Sequence, residues 1–235
     1  MYTPGIPANS ECLSGLKYGS PHYLEVPIDI IPHKSQYNVG DTLTIRMQFS
    51  DTIMDLTRQQ KYKIEGFPFE PITQLYKIDV DNAVWESGNR SNEIIVEEKY
   101  NPRFNSFSTL ADDMRGHALY LDNQYWFEYK IALNTTGKYC TLITDQYESN
   151  RGQFAFKNDD TNAIEFEGKC VYGFFICSVI KDDPHYELFR EEMIFFDKEI
   201  SNDNFARIEG IDEETFGKGR QAFEWKGIYF FEVSE

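Results

Sequence analysis

The chain has 235 residues, with 23 Lys and Arg against 39 Asp and Glu, a formal charge of −16. Hydrophobic residues make up 41% and aromatics 16%, enough for a large buried core, which excludes a wholly disordered or collagen-like chain. No apolar run reaches the roughly 18 residues of a membrane helix, and no dense Lys/Arg patch breaks the acidic background. Neither a transmembrane segment nor a nucleic-acid partner is expected.

Residues 1–20 read as an extended lead-in, because residues 1–10 hold prolines and glycine but no apolar signal-peptide core. They fit the end of an export linker, or the start of a cytoplasmic chain. Residues 21–235 read as a single domain. In 24–31, Leu24, Val26, Ile28 and Ile30 alternate with Glu25, Pro27 and Asp29. Pro27 has no ladder donor, so this strand is expected at an edge. After turn residues at 37–41 comes the clearest pattern: Leu43, Ile45, Met47 and Phe49 alternate with Thr42, Thr44, Arg46 and Gln48. Such a period of two marks a strand with one buried and one wet face.

Further strands are expected at 72–80, 93–99, 118–133 (as two strands or one bulged strand), 138–144, 153–156, 163–166, 170–180 and 227–233. Asn, Asp, Gly and Pro clusters separate them, and no βαβ rhythm appears. The fold class is therefore mainly β, an antiparallel β-sandwich of eight to ten strands.

The C-terminal quarter differs. Residues 182–235 carry 15 acids and 6 bases, so more than half of the net charge sits there. Within 182–226 one or two short helices are expected: Asp183-Pro184 resembles an N-cap and first-turn proline, and Phe189, Met193, Phe196 and Ile200 form one apolar stripe. A strand through 193–196 is the competing reading. Residues 227–233 close the sheet, so no second domain is assigned.

Little of the sequence carries recognisable chemistry. GxSxG, HExxH and P-loop patterns are absent. Gly217-Lys218-Gly219-Arg220-Gln221-Ala222 matches a dinucleotide fingerprint, but too little chain follows for a βαβ unit. The doublets Glu97-Glu98, Asp112-Asp113, Glu191-Glu192 and Glu213-Glu214 place adjacent carboxylates on opposite strand faces, unlike the facing pair of a glycosidase. His117 stands in a polar cluster with Asp112 and Asp113 and is a candidate base, or else a surface histidine. His22, His33 and His185 each follow a proline and read as structural or exposed. No cofactor is expected except, weakly, calcium. Asn158, Asp160 and Asn162 imitate the first ligands of an EF-hand loop, although Ala163 and Lys169 replace its glycine and final glutamate.

Of the three tryptophans, Trp85 near the Gly88 turn is the candidate for an exposed sugar-stacking residue. Trp126 sits in an alternating run, 125–129, which buries either Trp126 or its neighbours, and core packing is its expected fate. Cys12, Cys140, Cys170 and Cys177 show no zinc spacing. They allow two disulfides or four buried thiols. Cys170 and Cys177 flank residues 171–176, and in one strand their odd offset would turn them to opposite faces.

The order of features is familiar. Cys12 in a Pro/Gly-rich start is followed by Val26-Pro27-Ile28, then Tyr37-Asn38-Val39-Gly40-Asp41-Thr42-Leu43 entering a strand, then Tyr62-Lys63-Ile64-Glu65-Gly66-Phe67. This order, with the closing Gly227-Ile228-Tyr229-Phe230-Phe231-Glu232-Val233, resembles uncharacterised exported Ig-like proteins of Bacteroidetes-type bacteria, many of lipoprotein type. The resemblance implies export to the periplasm or cell surface, a compartment permitting disulfides, and a β-rich fold. It implies no reaction. Asn9-Ser10-Glu11-Cys12 is not a lipobox, so any lipid anchor would lie upstream.

Export in turn implies that a disulfide ties the poorly apolar lead-in to the sheet, Cys12 with Cys170 or Cys177. Closing a loop of about 160 residues would constrain the unfolded chain by roughly 5 kcal/mol. Cys140 would then pair with the remaining strand cysteine or stay a buried thiol. The functional expectation is an exported, non-catalytic envelope or surface protein with an unidentified partner. A carbohydrate-binding module or carbohydrate-active enzyme is the alternative, with a glycan as the partner.

Overall fold

The architecture is that of a computed structural model of the chain, which describes residues 22–65, 67, 69–87, 114–145, 164–166, 169–171, 174–200, 223–224 and 226–235. Its strands in chain order are β1 (His22–Ile31), β2 (Gln36–Asn38), β3 (Thr42–Ser50), β4 (Thr52–Asp55), β5 (Gln60–Lys63), β6 (Pro71–Asp79), β7 (Val84–Ser87) and β8 (Met114–Arg115). They continue with β9 (Leu119–Leu121), β10 (Gln124–Ala132), β11 (Gly137–Asp145), β12 (Ile164–Phe166), β13 (Lys169–Val171), β14 (Phe174–Ile180) and β15 (Ile228–Ser234). A short helix, α1 (Arg190–Phe195), runs into a π-helical turn at Phe196–Ile200.

The protein is a β-sandwich. In the first sheet β14, β1, β3, β10 and β9 lie side by side, and the β4–β5 hairpin joins β1 below β3. The second sheet has the order β2–β15–β11–β6–β7, with β8 also on β6, and β12–β13 forms a separate hairpin. Most pairs are antiparallel, but β1–β14 and β2–β15 are parallel, so both sheets are mixed.

Alternation sets the layers. Leu43, Ile45, Met47 and Phe49 of β3 turn inward with Tyr125, Phe127, Tyr129 and Ile131 of β10, against Tyr139, Tyr229 and Phe231 of the second sheet. The outer face of that second sheet is apolar too. Tyr76, Ile78, Cys140, Leu142, Ile228 and Phe230 pack there beneath Tyr186, Phe189, Met193 and Phe196. This second core explains the runs of consecutive buried residues in β11 and β15, each wet on neither face.

Three expectations are corrected. The first concerns Pro27, whose strand is not an edge: β1 has β14 on one side and β3 and β4 on the other. Ile28 O accepts from Lys181 N on the β14 side, and Tyr23 O accepts from Leu56 N on the β4 side. Odd residues of β1 thus address β3 and β4. There the register stops at Ile28↔Met47 and resumes only at Leu24↔Asp55, so the missing donor of Pro27 falls in a gap. The gap is the chain's bend at Asp51 between β3 and β4.

The second correction splits 170–180. Cys170 belongs to β13 and Cys177 to β14, two strands that pair with different neighbours. The third moves the helix. Asp183 Oδ1 accepts from His185 N at 3.0 Å, and His185 then adopts φ +63°, which no helix continues through. A single turn follows, with Leu188 N and Phe189 N donating to His185 O, and α1 begins only at Arg190. The stripe survives: Phe189, Met193 and Phe196 are buried and Ile200 is half-buried.

Asp55 shows how the turn from β4 to β5 is fixed. Fully buried, it accepts from Thr57 N at 2.9 Å, Arg58 N at 3.0 Å and Arg58 Nη1 at 2.9 Å. Asp55→Ala strands those donors and is expected to lower stability by about 2–3 kcal/mol, read by urea unfolding.

Candidate binding surface on the outer face of the first sheet

The hairpin β9–β10 is closed by Asp122 and Asn123, both at positive φ (52° and 60°). That is the geometry of a tight hairpin turn, for which Asp and Asn are suited. Because Tyr125 and Phe127 point into the core, Gln124 and Trp126 must point out. The register then sets their neighbours. Trp126 lies between Leu119 of β9 and Gln48 of β3, and Gln124 lies between Leu121 and Ser50.

The result is a groove of about 430 Å³ lined by Leu119, Leu121, Asp122, Gln124 and Trp126. Leu119 and Leu121 are 41% and 55% exposed. One row further along β10, Arg46 Nε donates to the buried Glu128 Oε2 at 2.6 Å. This ion pair borders the groove.

The groove stands on a rigid base. Beneath it the Tyr125 ring meets Phe49, Phe69 and Tyr120 at 5.1, 4.7 and 4.8 Å. The Tyr125 hydroxyl donates to Ile64 O and accepts from Phe67 N, both at 2.6 Å. The Tyr120 hydroxyl donates to Asp51 Oδ2 at 2.8 Å, which ties β9 to the β3–β4 bend. Before β9, the chain crosses from the second sheet to the first, and Gly116 N donates to Pro71 O. A Cβ on Gly116 would stand 2.2 Å from the Phe127 ring, so only glycine admits that approach.

The residues singled out in the sequence are dispersed. Trp85 is 41% exposed, as expected, but on β7, at the far edge of the other sheet. Its ring lies 6.1 Å from Tyr76, which in turn meets Phe196 edge-on at 5.4 Å. Trp85 is thus the rim of the second core. Trp126, expected in the core, instead faces the groove; its neighbours Tyr125 and Phe127 took the buried face.

Asn158, Asp160, Asn162 and Cys12 lie outside the described residues, as do 217–222 and Asp112-Asp113. Among the described residues no group of three or more His, Cys, Asp or Glu side chains could hold a metal ion. No helix there is long and apolar enough to cross a membrane. His117 is exposed. Glu192 is buried and paired with Lys138 Nζ, while Glu191 is exposed. The two carboxylates thus face apart. Lys138 is held above the usual lysine range by its bond to Glu192.

Cys140 and Cys177 are both buried thiols, so of the two states open to Cys140, a bond to a strand cysteine or a buried thiol, the structure has the second. Alternation gives the reason. Cys140 belongs to the second core, while Cys177 is turned away from Ile176 and Ile180, which face the space between the sheets. Burial alone pushes the Cys140 thiol well above its ordinary range, which makes it a poor nucleophile.

No protein-family model matches the chain, and no curated protein matches it. Among solved structures, it is similar to the second type II cohesin module of the cellulosomal adaptor ScaA scaffoldin of Acetivibrio cellulolyticus. The identity is 10% and the TM-score 0.26, over 65% of this chain and 92% of that one. A second structure of that module, with its long C-terminal linker, gives 12% and 0.24, over 65% and 86%. The fold assignment rests on the strand pairing itself.

Proposed function

We propose that this chain is an exported, non-catalytic interaction module that binds a protein partner through the β9–β10 groove. The observation that carries this is the pair Leu119 and Leu121, exposed on consecutive outward positions of an edge strand and flanked by Trp126. Single exposed leucines are ordinary on protein surfaces; a contiguous apolar patch with a polar rim is the usual mark of a docking site. Among the described residues no strand covers the free side of β9. An extended segment could therefore add to it by backbone hydrogen bonds, with alternate side chains meeting Leu119 and Leu121.

Charge selects the partner's character. At −16 the module attracts cationic surfaces, and Asp122 stands at the groove's rim. The occupant is thus an extended segment with alternating aliphatic side chains and a net positive charge. Export rests on the resemblance carried by residues 28–49 and 227–233.

A glycan ligand is the second reading. It is favoured by the flat indole of Trp126 beside the Gln124 amide and the Asp122 carboxylate, an apolar platform with polar groups at its border.

Selection from a displayed peptide library, paired with a glycan array, tests the two. Enrichment of basic peptides with aliphatic residues at alternate positions, abolished by Leu119→Asp with Leu121→Asp, is the expected result. Both positions are solvated, so the double variant should unfold within about 0.5 kcal/mol of the parent. Glycan binding lost in Trp126→Ala would favour the second reading. Peptide enrichment unchanged by the leucine substitutions would overturn the assignment of the groove.

A further inference from the structure

His33 lies in the connection between β1 and β2, and His185 in the turn that leads to α1. Their rings touch, with centroids 4.6 Å apart. Both also rest on Tyr229 of β15, at 5.3 and 5.7 Å. The Nε2 atom of each histidine is buried, and among the described residues neither meets a hydrogen-bond partner. His185 is further held at φ +63°, a conformation that histidine adopts only when its surroundings fix it.

The neighbouring polar groups are already committed. The Tyr229 hydroxyl donates to Lys34 O at 2.5 Å and accepts from Lys34 N at 3.0 Å. The Tyr37 hydroxyl, 3.2 Å from that of Tyr229, donates to Pro32 O at 2.5 Å. Lys34 Nζ pairs with Asp41 at 3.1 Å and stands 5.1 Å over the Tyr37 ring. Three carboxylates flank the histidine turn: Asp182 and Glu187 are exposed, and Asp183 Oδ1 holds the His185 backbone N–H.

This arrangement suits two neutral imidazoles and not two charged ones. Protonation gives each Nε2 a proton with no acceptor in place, and it sets two like charges in ring contact. Relief requires the rings to part. The segment free to move is the turn, because His33 is anchored between two strands whereas His185 precedes a helix that packs only by its face.

We propose that the His33–His185 pair is a proton-operated latch: neutral, it clamps the turn before α1 to the β1–β2 connection; protonated, it lets that turn open. The turn carries Tyr186 and Phe189, which cover Phe230 on the outer face of the second sheet. Opening therefore uncovers the second core. Burial first, and then the charge His33 would carry, hold the His185 pKa below its ordinary value, while Asp183 opposes them. A pKa lowered in the folded state means that the clamp is complete above histidine's ordinary value of about 6.5 and weakens as pH falls below it.

Amide hydrogen exchange on the whole chain, corrected for intrinsic rates, at pH 7.5 and 5.5 reads the latch. The reporting amides are Leu188, Phe189 and Met193, which donate to His185 O, His185 O and Phe189 O. Their protection is expected to fall at least about tenfold at the lower pH, while amides of the β3–β10 ladder change by less than about threefold. In His33→Gln and in His185→Asn the fall should shrink to that of the ladder; Asn tolerates the left-handed conformation. Either variant suffices if the other does not fold. A fall shared equally by the ladder, an unchanged fall in both variants, or no fall in the parent would each overturn the latch.

Discussion

Phe231→Ala is expected to lower the unfolding free energy by about 3–5 kcal/mol, the largest effect of any single truncation considered. The ring is fully buried. It lies between Tyr37 and Tyr139, each at 5.5 Å, and 5.9 Å from Tyr229. These rings belong to three adjacent strands, β2, β11 and β15, and β15 is the strand that joins the other two. The cavity left by alanine would therefore open on the second sheet's inner face, between β2 and β11. Stacked aromatics cannot shift to fill it without breaking the Tyr37 and Tyr229 hydroxyl bonds. Urea unfolding, followed by far-UV circular dichroism, gives the loss directly, and a loss under about 1.5 kcal/mol would mean that the sandwich core is not packed as described.

Gly227→Ala comes second, with an expected loss of about 2–4 kcal/mol. Gly227 opens β15 at φ +57°, where a side chain is strained by about 1–2 kcal/mol. Its added Cβ would also stand 2.8 Å from Ile143 O and 2.9 Å from Ser178 Cβ. The first neighbour is backbone and cannot step aside. The position matters because here the two sheets meet: Lys226 bridges to Ser178 of β14, and Ile143 N donates to Gly227 O. A thermal melt of the variant checks it, and an unchanged melting temperature would contradict the close approach.

Much of the sandwich could be read from local sequence. The β3 pattern, Leu43 to Phe49, determined which side chains face the core, while β6, β11 and β15 were placed by apolar and aromatic runs between turn clusters, whose two buried faces leave no alternation to read. Prediction failed where a residue's meaning depended on its neighbours across the sheet. Pro27 marks an edge only if its N–H side is needed for pairing, and the bend at Asp51 relieves it of that need. Asp183-Pro184 has the chemistry of a helix start, but the strained His185 delays the helix to Arg190.

The site was the least legible part. Alternation says that Trp126 and Tyr125 must face opposite ways, and composition cannot say which one is buried. That choice is made by Phe49, Phe69 and the backbone groups of Ile64 and Phe67, which satisfy the Tyr125 ring and hydroxyl. Leu119 and Leu121 carried one clue: leucines at consecutive outward positions beside an Asp-Asn turn, where polar residues would ordinarily stand. The histidine pair gave none, since the residues are 152 positions apart and meet only through the packing of β15.

The most direct measurement of the binding surface is an amide and indole chemical-shift map of the intact chain titrated with a selected basic peptide. Saturable shifts centred on Leu119, Leu121, Asp122, Gln124 and the Trp126 indole, spreading to Gln48 across the register, are the expected result. Shifts centred instead on Trp85 and Val84 of β7, or saturation without any change at the β9–β10 hairpin, would contradict it.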